Sequence, residues 1–235
     1  MYKNYYFDLY ETLMTVDTNE EADIVWEKMA LYFGYYGANY DAYELQGRYQ
    51  KIVTKLLNSN QGNYPEIDIE DVFYKLFRDK DVKPKKKMAK DAAKVFRMLT
   101  TNSLDVYEGV IDMLMALKNL KKNVFILANA QNTYALYELR KGGIRKYFDE
   151  FFFSSDIGML KPDSNFYETA FAGEGVKKKE SIIISSNYTD IVSSKSFGVD
   201  TLFINTNEDE DYDPAVCTYE VNGRDYAKII NLIVK

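Results

Sequence analysis

The chain contains no histidine and a single cysteine, Cys217. The first absence removes Ser-His-Asp and Cys-His nucleophile pairs, together with any His-ligated zinc site. The second removes an internal disulfide, so a reducing cytoplasm is the compartment expected. No apolar run approaches the roughly 18 residues a membrane span needs, and Met1-Tyr2-Lys3-Asn4 does not read as a charged-then-apolar leader, so no membrane partner is expected. The net charge of −6 argues against a nucleic-acid partner, and the locally basic Lys83 to Lys90 reads as a solvated helix start. Chemistry is left to carboxylates, lysine, tyrosine or a hard metal ion.

With 235 residues and a 46% hydrophobic fraction, the chain can bury one domain, alone or carrying a smaller inserted one. From Val110 onward, helix-spaced apolar residues (Val110, Met113, Leu114, Leu117) alternate with short apolar strands at Asn123 to Leu127, Glu150 to Phe153, Ser181 to Ser185 and Thr201 to Ile204. Asn4 to Phe7 has the same buried-strand character. This alternation predicts an α/β fold, a doubly wound parallel sheet with helices on both faces. Residues 15–104 differ: helix-like stretches at Ala22 to Tyr36, Asp41 to Leu57, Ile69 to Phe77 and Lys86 to Leu99 have no strand between them. They predict an inserted helical domain, with residues 1–14 and 105–235 forming the core. The acidic stretch Glu208-Asp209-Glu210-Asp211 reads as a solvated loop.

Ligands of a doubly wound sheet bind beyond the carboxyl ends of its strands. Four such positions here are polar: Asp8-Leu9-Tyr10-Glu11-Thr12, Ala128-Asn129, the segment from Ser154 to Lys161-Pro162, and Ser185-Ser186-Asn187-Tyr188-Thr189-Asp190. Taken singly, an Asp after a strand is commonly a turn or helix cap. Taken in order, the segments resemble the four motifs of the haloacid dehalogenase-like hydrolases.

That resemblance implies a Rossmann-like core with a helical cap inserted after the first motif. It implies Asp8 as the nucleophile that forms an aspartyl ester, Thr12 as its orienting hydroxyl, Lys161 as the neutralising cation and Asp190 as the retained acid. Three positions depart from the phosphatase pattern. Tyr10 replaces the second aspartate that protonates a leaving group, Ala128 replaces the usual Ser or Thr, and Ser186 replaces a magnesium-binding aspartate. A Mg2+ site built from Asp8, the Tyr10 backbone carbonyl and Asp190 is therefore implied only in weakened form.

Tyr10 and the run Ser185-Ser186-Asn187-Tyr188-Thr189-Asp190 resemble the metal-independent L-2-haloacid dehalogenase branch, in which Asn129, Ser185, Asn187 and Tyr167 would stand at the substrate. Ala128 departs there too, replacing a substrate-binding serine, and Glu11 stands where a glycine is usual. That branch also calls for a cap arginine, and Arg48 is the candidate. Trp26, Tyr35 and Tyr36 read as core aromatics that a cap pocket could also use. The implied substrate is a small anion. Phosphate monoesters lead on the family's breadth, a 2-haloacid is the alternative on the residues, and a non-catalytic binding protein is the third reading.

Overall fold

The computed structural model describes residues 2–60, 62–206 and 212–234, so the acidic stretch Glu208 to Asp211 lies outside the described residues. In chain order the elements are β1 (Asn4–Phe7), β2 (Met14–Thr18), α1 (Asp23–Tyr35), α2 (Ala42–Ser59), α3 (Ile69–Asp79), α4 (Lys86–Thr100), β3 (Thr101–Val106), α5 (Val110–Asn119), β4 (Asn123–Ala128) and α6 (Asn132–Lys141). There follow β5 (Glu150–Phe153), α7 (Ser154–Ile157), α8 (Ser164–Ala170), β6 (Ser181–Ser185), α9 (Tyr188–Ser196), β7 (Asp200–Asn205), β8 (Tyr219–Asn222) and α10 (Tyr226–Ile233).

Six strands form one parallel sheet in the order β5-β4-β1-β6-β7-β8. Alternate residues leave opposite faces of a strand, and both faces here are buried. Tyr5 and Phe7 of β1 pack with Val124, Ile126, Ile182 and Ile184 on one side, while Tyr6 packs with Phe125, Leu127 and Ile183 on the other. Phe7 lies in register with Ile126 of β4 and Ile184 of β6. This register brings the segments that follow β1, β4 and β6 to one edge of the sheet.

The helices α1 to α4 have a hydrophobic core of their own, including Trp26, Met29, Phe33, Phe73, Phe77 and Phe96. The sequence shows why α3 forms: Ile69, Val72, Phe73, Leu76 and Phe77 fall on one face, and the Asp68 carboxylate caps the start by accepting from Glu70 N at 2.8 Å. Two strands were not expected within this stretch. β2 and β3 pair antiparallel, Met14 opposite Val106 and Val16 opposite Leu104, and this ribbon carries the chain out to the helices and back.

The helical unit touches the core through α4, which packs on α6, and through the loop before α3. Gln131, just after β4, accepts from Ile69 N at 2.9 Å and donates to Ile67 O at 2.8 Å, and Ser154 Oγ donates to Glu66 Oε2 at 2.7 Å. Within the described residues no helix is long and apolar enough to cross a membrane.

Candidate active site

Asp8 is the first residue beyond β1, and its backbone N–H still donates to Ile184 O of the neighbouring strand at 3.0 Å. Leu9 and Leu13 are fully buried. That burial anchors the loop on both sides and leaves the Asp8 carboxylate facing a cleft of about 880 Å³. The cleft is lined by Asp8, Tyr10, Asn129, Lys161, Asp190 and Arg224, among others.

Lys161 Nζ lies 2.8 Å from Asp8 Oδ1 and 2.6 Å from Asp190 Oδ2, with its side chain only 2% exposed. A buried ammonium survives only with such compensation. Burial alone would lower the Lys161 pKa, but the carboxylates of Asp190 and Asp8 outweigh it and hold the ammonium protonated well above its usual range. For Asp8 the balance goes the other way. Burial raises its pKa, Lys161 opposes that rise, Asp190 adds to it, and the net direction is upward.

Thr12 Oγ1 donates to Asp8 Oδ2 at 3.2 Å and accepts from Ser186 N at 2.9 Å. With the Thr12 proton on Asp8, the 3.2 Å contact between Ser186 Oγ and Thr12 Oγ1 has Ser186 as donor. Ser185, fully buried, donates to Asp190 Oδ2 at 3.1 Å and accepts from Asn187 N at 3.0 Å, so it fixes the acid instead of facing the cleft. Asn187 lines the cleft, but its side-chain oxygen caps α9 by accepting from Thr189 N at 2.9 Å. Asn129 spends both ends of its amide on the Lys161 backbone, accepting from Lys161 N at 2.7 Å and donating to Lys161 O at 3.1 Å.

Three residues expected at the substrate do not line the cleft. Ala128 is fully buried in the core at the end of β4. Tyr167 is buried behind the Lys161–Asp190 pair, whose charges both act on it, stacked on Phe197 at 5.4 Å and with its hydroxyl 2.6 Å from Ser193 Oγ. Arg48 donates to Asp79 Oδ2 at 2.8 Å from Nε and lines a surface depression of α2 with Tyr43 and Gly47, sharing no wall with the cleft. Its position on α2 turns it toward α3 and away from the sheet edge. Trp26 is core, whereas Tyr35 and Tyr36 are exposed.

The guanidinium in the cleft wall is instead Arg224, from the loop after β8. It donates to Glu11 O at 2.9 Å and to Glu11 Oε2 at 3.0 Å, and its Cζ lies 4.0 Å from the Tyr107 ring centroid. Glu11 has φ 58°, a left-handed backbone that a non-glycine residue adopts at a cost of about 1–3 kcal/mol. Arg224, with Tyr107 OH on Glu11 Oε2 at 2.6 Å, holds it there. Neither β8 nor its following loop carried a sequence signal.

Tyr10, also in the cleft wall, donates from its hydroxyl to Glu138 Oε2 at 2.6 Å, and Arg97 Nε donates to Glu138 Oε1 at 2.7 Å. Burial, then the Glu138 charge, hold the Tyr10 pKa well above its usual value, so the phenol stays a donor.

This set does not suit a dedicated magnesium site. Both candidate carboxylates already bind Lys161, Tyr10 has only its backbone carbonyl to offer, and among the described residues no group of three His, Cys, Asp or Glu side chains converges on one point. Hard cations favour several oxygen ligands, carboxylates above all.

Residues 49–204 match the haloacid dehalogenase-like hydrolase family, and the chain belongs to it. A pyrophosphatase PpaX of Halalkalibacterium halodurans is 27% identical over 125 residues, 53% of this chain and 52% of that protein. An (S)-2-haloacid dehalogenase 1 of Pseudomonas sp. is 30% identical over 112 residues, 47% of this chain and 49% of its own. The chain thus aligns with about half the length of the curated relatives it matches. A solved L-2-haloacid dehalogenase of Xanthobacter autotrophicus, with chloropropionic acid covalently bound, shares the fold over 100% of this chain and 99% of that one, at TM-score 0.58 and 17% identity.

Proposed function

We propose that the protein hydrolyses a small anionic substrate through an ester on Asp8, without a metal ion, and that the leaving group departs as a stable anion, as from a 2-haloacid. The observation that carries this reading is the pairing of an intact Asp8–Lys161–Asp190 arrangement with a Tyr10 hydroxyl committed to Glu138. A leaving alkoxide needs a proton from a positioned acid. A halide does not.

One Asp8 oxygen attacks the carbon bearing the halogen; the C–O bond forms, the carbon–halogen bond breaks, and the halide leaves with the bonding pair. Lys161 steadies Asp8 in its ionised form and Thr12 fixes the other oxygen. Water then attacks the ester carbonyl carbon and Asp190 in the same cleft takes its proton; the bond from that carbon to the product oxygen breaks, Asp190 returns the proton to the departing alkoxide, and the product alcohol is released with Asp8 regenerated as the carboxylate, the remaining proton of the water going to solvent. Arg224 is the guanidinium available for the substrate carboxylate, a role Ala128 has no hydroxyl to fill. Residues 15–104 act as a cap that limits water access.

A phosphate monoester is the second reading, supported by the likeness to a pyrophosphatase. The test is a panel of 2-haloacids and phosphate monoesters assayed with magnesium and with chelator. Halide release indifferent to chelator is expected; magnesium-dependent phosphate release with no halide release would select the second reading.

A further inference from the structure

Glu138 is a carboxylate for which the reaction has no direct use, and its side chain is only 2% exposed. It lies on α6, and both of its oxygens are engaged: Oε2 by the hydroxyl of Tyr10 at 2.6 Å, Oε1 by Arg97 at 2.7 Å. Arg97, 16% exposed, stands in the last turn of α4, the helix that runs directly into the return strand β3. Its guanidinium also lies 6.0 Å from the Tyr10 ring centroid and 5.2 Å from that of Tyr134. Three parts of the molecule therefore meet at one carboxylate: the nucleophile loop, a core helix, and the root of the helical unit.

We infer that Glu138 and Arg97 are positioning residues for the nucleophile loop, acting through the Tyr10 hydroxyl, so that the seating of the helical unit on the sheet sets the geometry of Asp8. The other ties of this loop run to the sheet core: Thr12 to Asp8 and Ser186, the Thr12 carbonyl to Tyr226 OH, and the Leu13 carbonyl to Tyr107 N. Leu9 and Leu13 bury its apolar anchors and Arg224 clamps Glu11 from the opposite flank, which leaves Tyr10 as the residue fastened toward the helices. Displacement of a reacting group by about 1 Å can reduce a rate about a hundredfold, so one strong hydrogen bond adjacent to the nucleophile is enough to matter.

The test separates positioning from plain stability. Glu138→Leu alone strands a buried guanidinium and should lower Tm by on the order of 10 °C. The double variant Glu138→Leu with Arg97→Met replaces the ion pair by apolar groups, an exchange that commonly preserves stability, and should return Tm to within a few degrees of native. Amide exchange across Asp8 to Leu13 should nevertheless be accelerated about tenfold or more, and kcat should fall at least about tenfold with KM within about twofold. Tyr10→Phe keeps the Glu138–Arg97 pair, should fold normally, and should show the same two effects.

Native exchange and native kcat in Tyr10→Phe, or in a double variant that folds, would overturn the inference. The kcat readout rests on Asp8 being the nucleophile, whereas the exchange readout does not. Accelerated exchange in a protein without Asp8-dependent turnover would refute the hydrolase reading and support the coupling; unchanged exchange with normal Asp8-dependent turnover would do the reverse.

Discussion

Lys161 and Asp8 form a 2.8 Å ion pair although 153 positions separate them in the chain. The same ammonium holds Asp190 at 2.6 Å, so a single cation compensates two carboxylates in a site with little access to solvent. Lys161→Met leaves those carboxylates facing each other. Breaking a buried pair from one side costs about 3–5 kcal/mol, and in a chain of this size that corresponds to a Tm fall on the order of 10 °C. Calorimetry at neutral pH checks the size of the loss, and a variant as stable as the native chain would show that the pairing contributes little.

Turnover needs ionised Asp8, and burial, reinforced by Asp190 against the pull of Lys161, raises its pKa. Activity should therefore disappear, as pH falls, at a value above the ordinary aspartate pKa of about 3.9. A kcat/KM profile whose acid limb lies at or below about 4 would contradict this placement of Asp8.

Asp8→Asn should abolish turnover with the fold intact, because the amide cannot serve as the attacking carboxylate. Its effect on stability follows from the direction of the same shift. A carboxyl whose folded pKa is raised contributes stability that is fully present below the unfolded pKa and is lost as pH rises through the folded one. Native protein should thus lose stability relative to Asp8→Asn as pH rises from about 4 through the raised pKa, and at neutral pH the variant should melt higher. Urea unfolding of both proteins across that range provides the comparison.

Arg48→Ala should leave turnover unchanged. The pair with Asp79 is solvent-facing, with side chains 44% and 28% exposed, and such a pair is worth about 0–1 kcal/mol. A large rise in KM for an anionic substrate would instead bring Arg48 to the site by a movement of the helices. Arg224→Ala, at the cleft, is where that rise in KM is expected.

The legible part of the molecule is the part whose residues interact with their own neighbours in sequence. Apolar strands that end in Asp8, Asn129 and Ser185 announce both the sheet and the edge where its ligands bind, and the helical spacing of Val72, Phe73, Leu76 and Phe77 announces α3. The ribbon β2/β3 was not legible, because four of the six residues of Thr101-Asn102-Ser103-Leu104-Asp105-Val106 are polar and its strand character comes from pairing with a partner far away in the chain. Cap arginines illustrate the same limit. Arg48 and Arg97 both occur on helix-forming stretches, and only the fold shows that Arg97 meets a buried Glu138, 41 positions distant, while Arg48 meets Asp79 at the surface. Asn129, Ser185 and Asn187 lie at the sheet edge, and their hydrogen bonds go to Lys161, Asp190 and α9, which no motif spacing could have indicated.

The route through Asp8 is tested most directly by isotope transfer. Turnover of a 2-haloacid in water enriched in 18O, followed by mass spectrometry of the peptide containing Asp8, reports which atom the water attacks. Attack on the ester carbonyl carbon leaves one solvent oxygen in the aspartate at each turnover, so 18O should accumulate in Asp8 and in no other carboxylate, equally with and without chelator. Product formation with no label in Asp8 would contradict a carboxyl ester resolved at its carbonyl carbon.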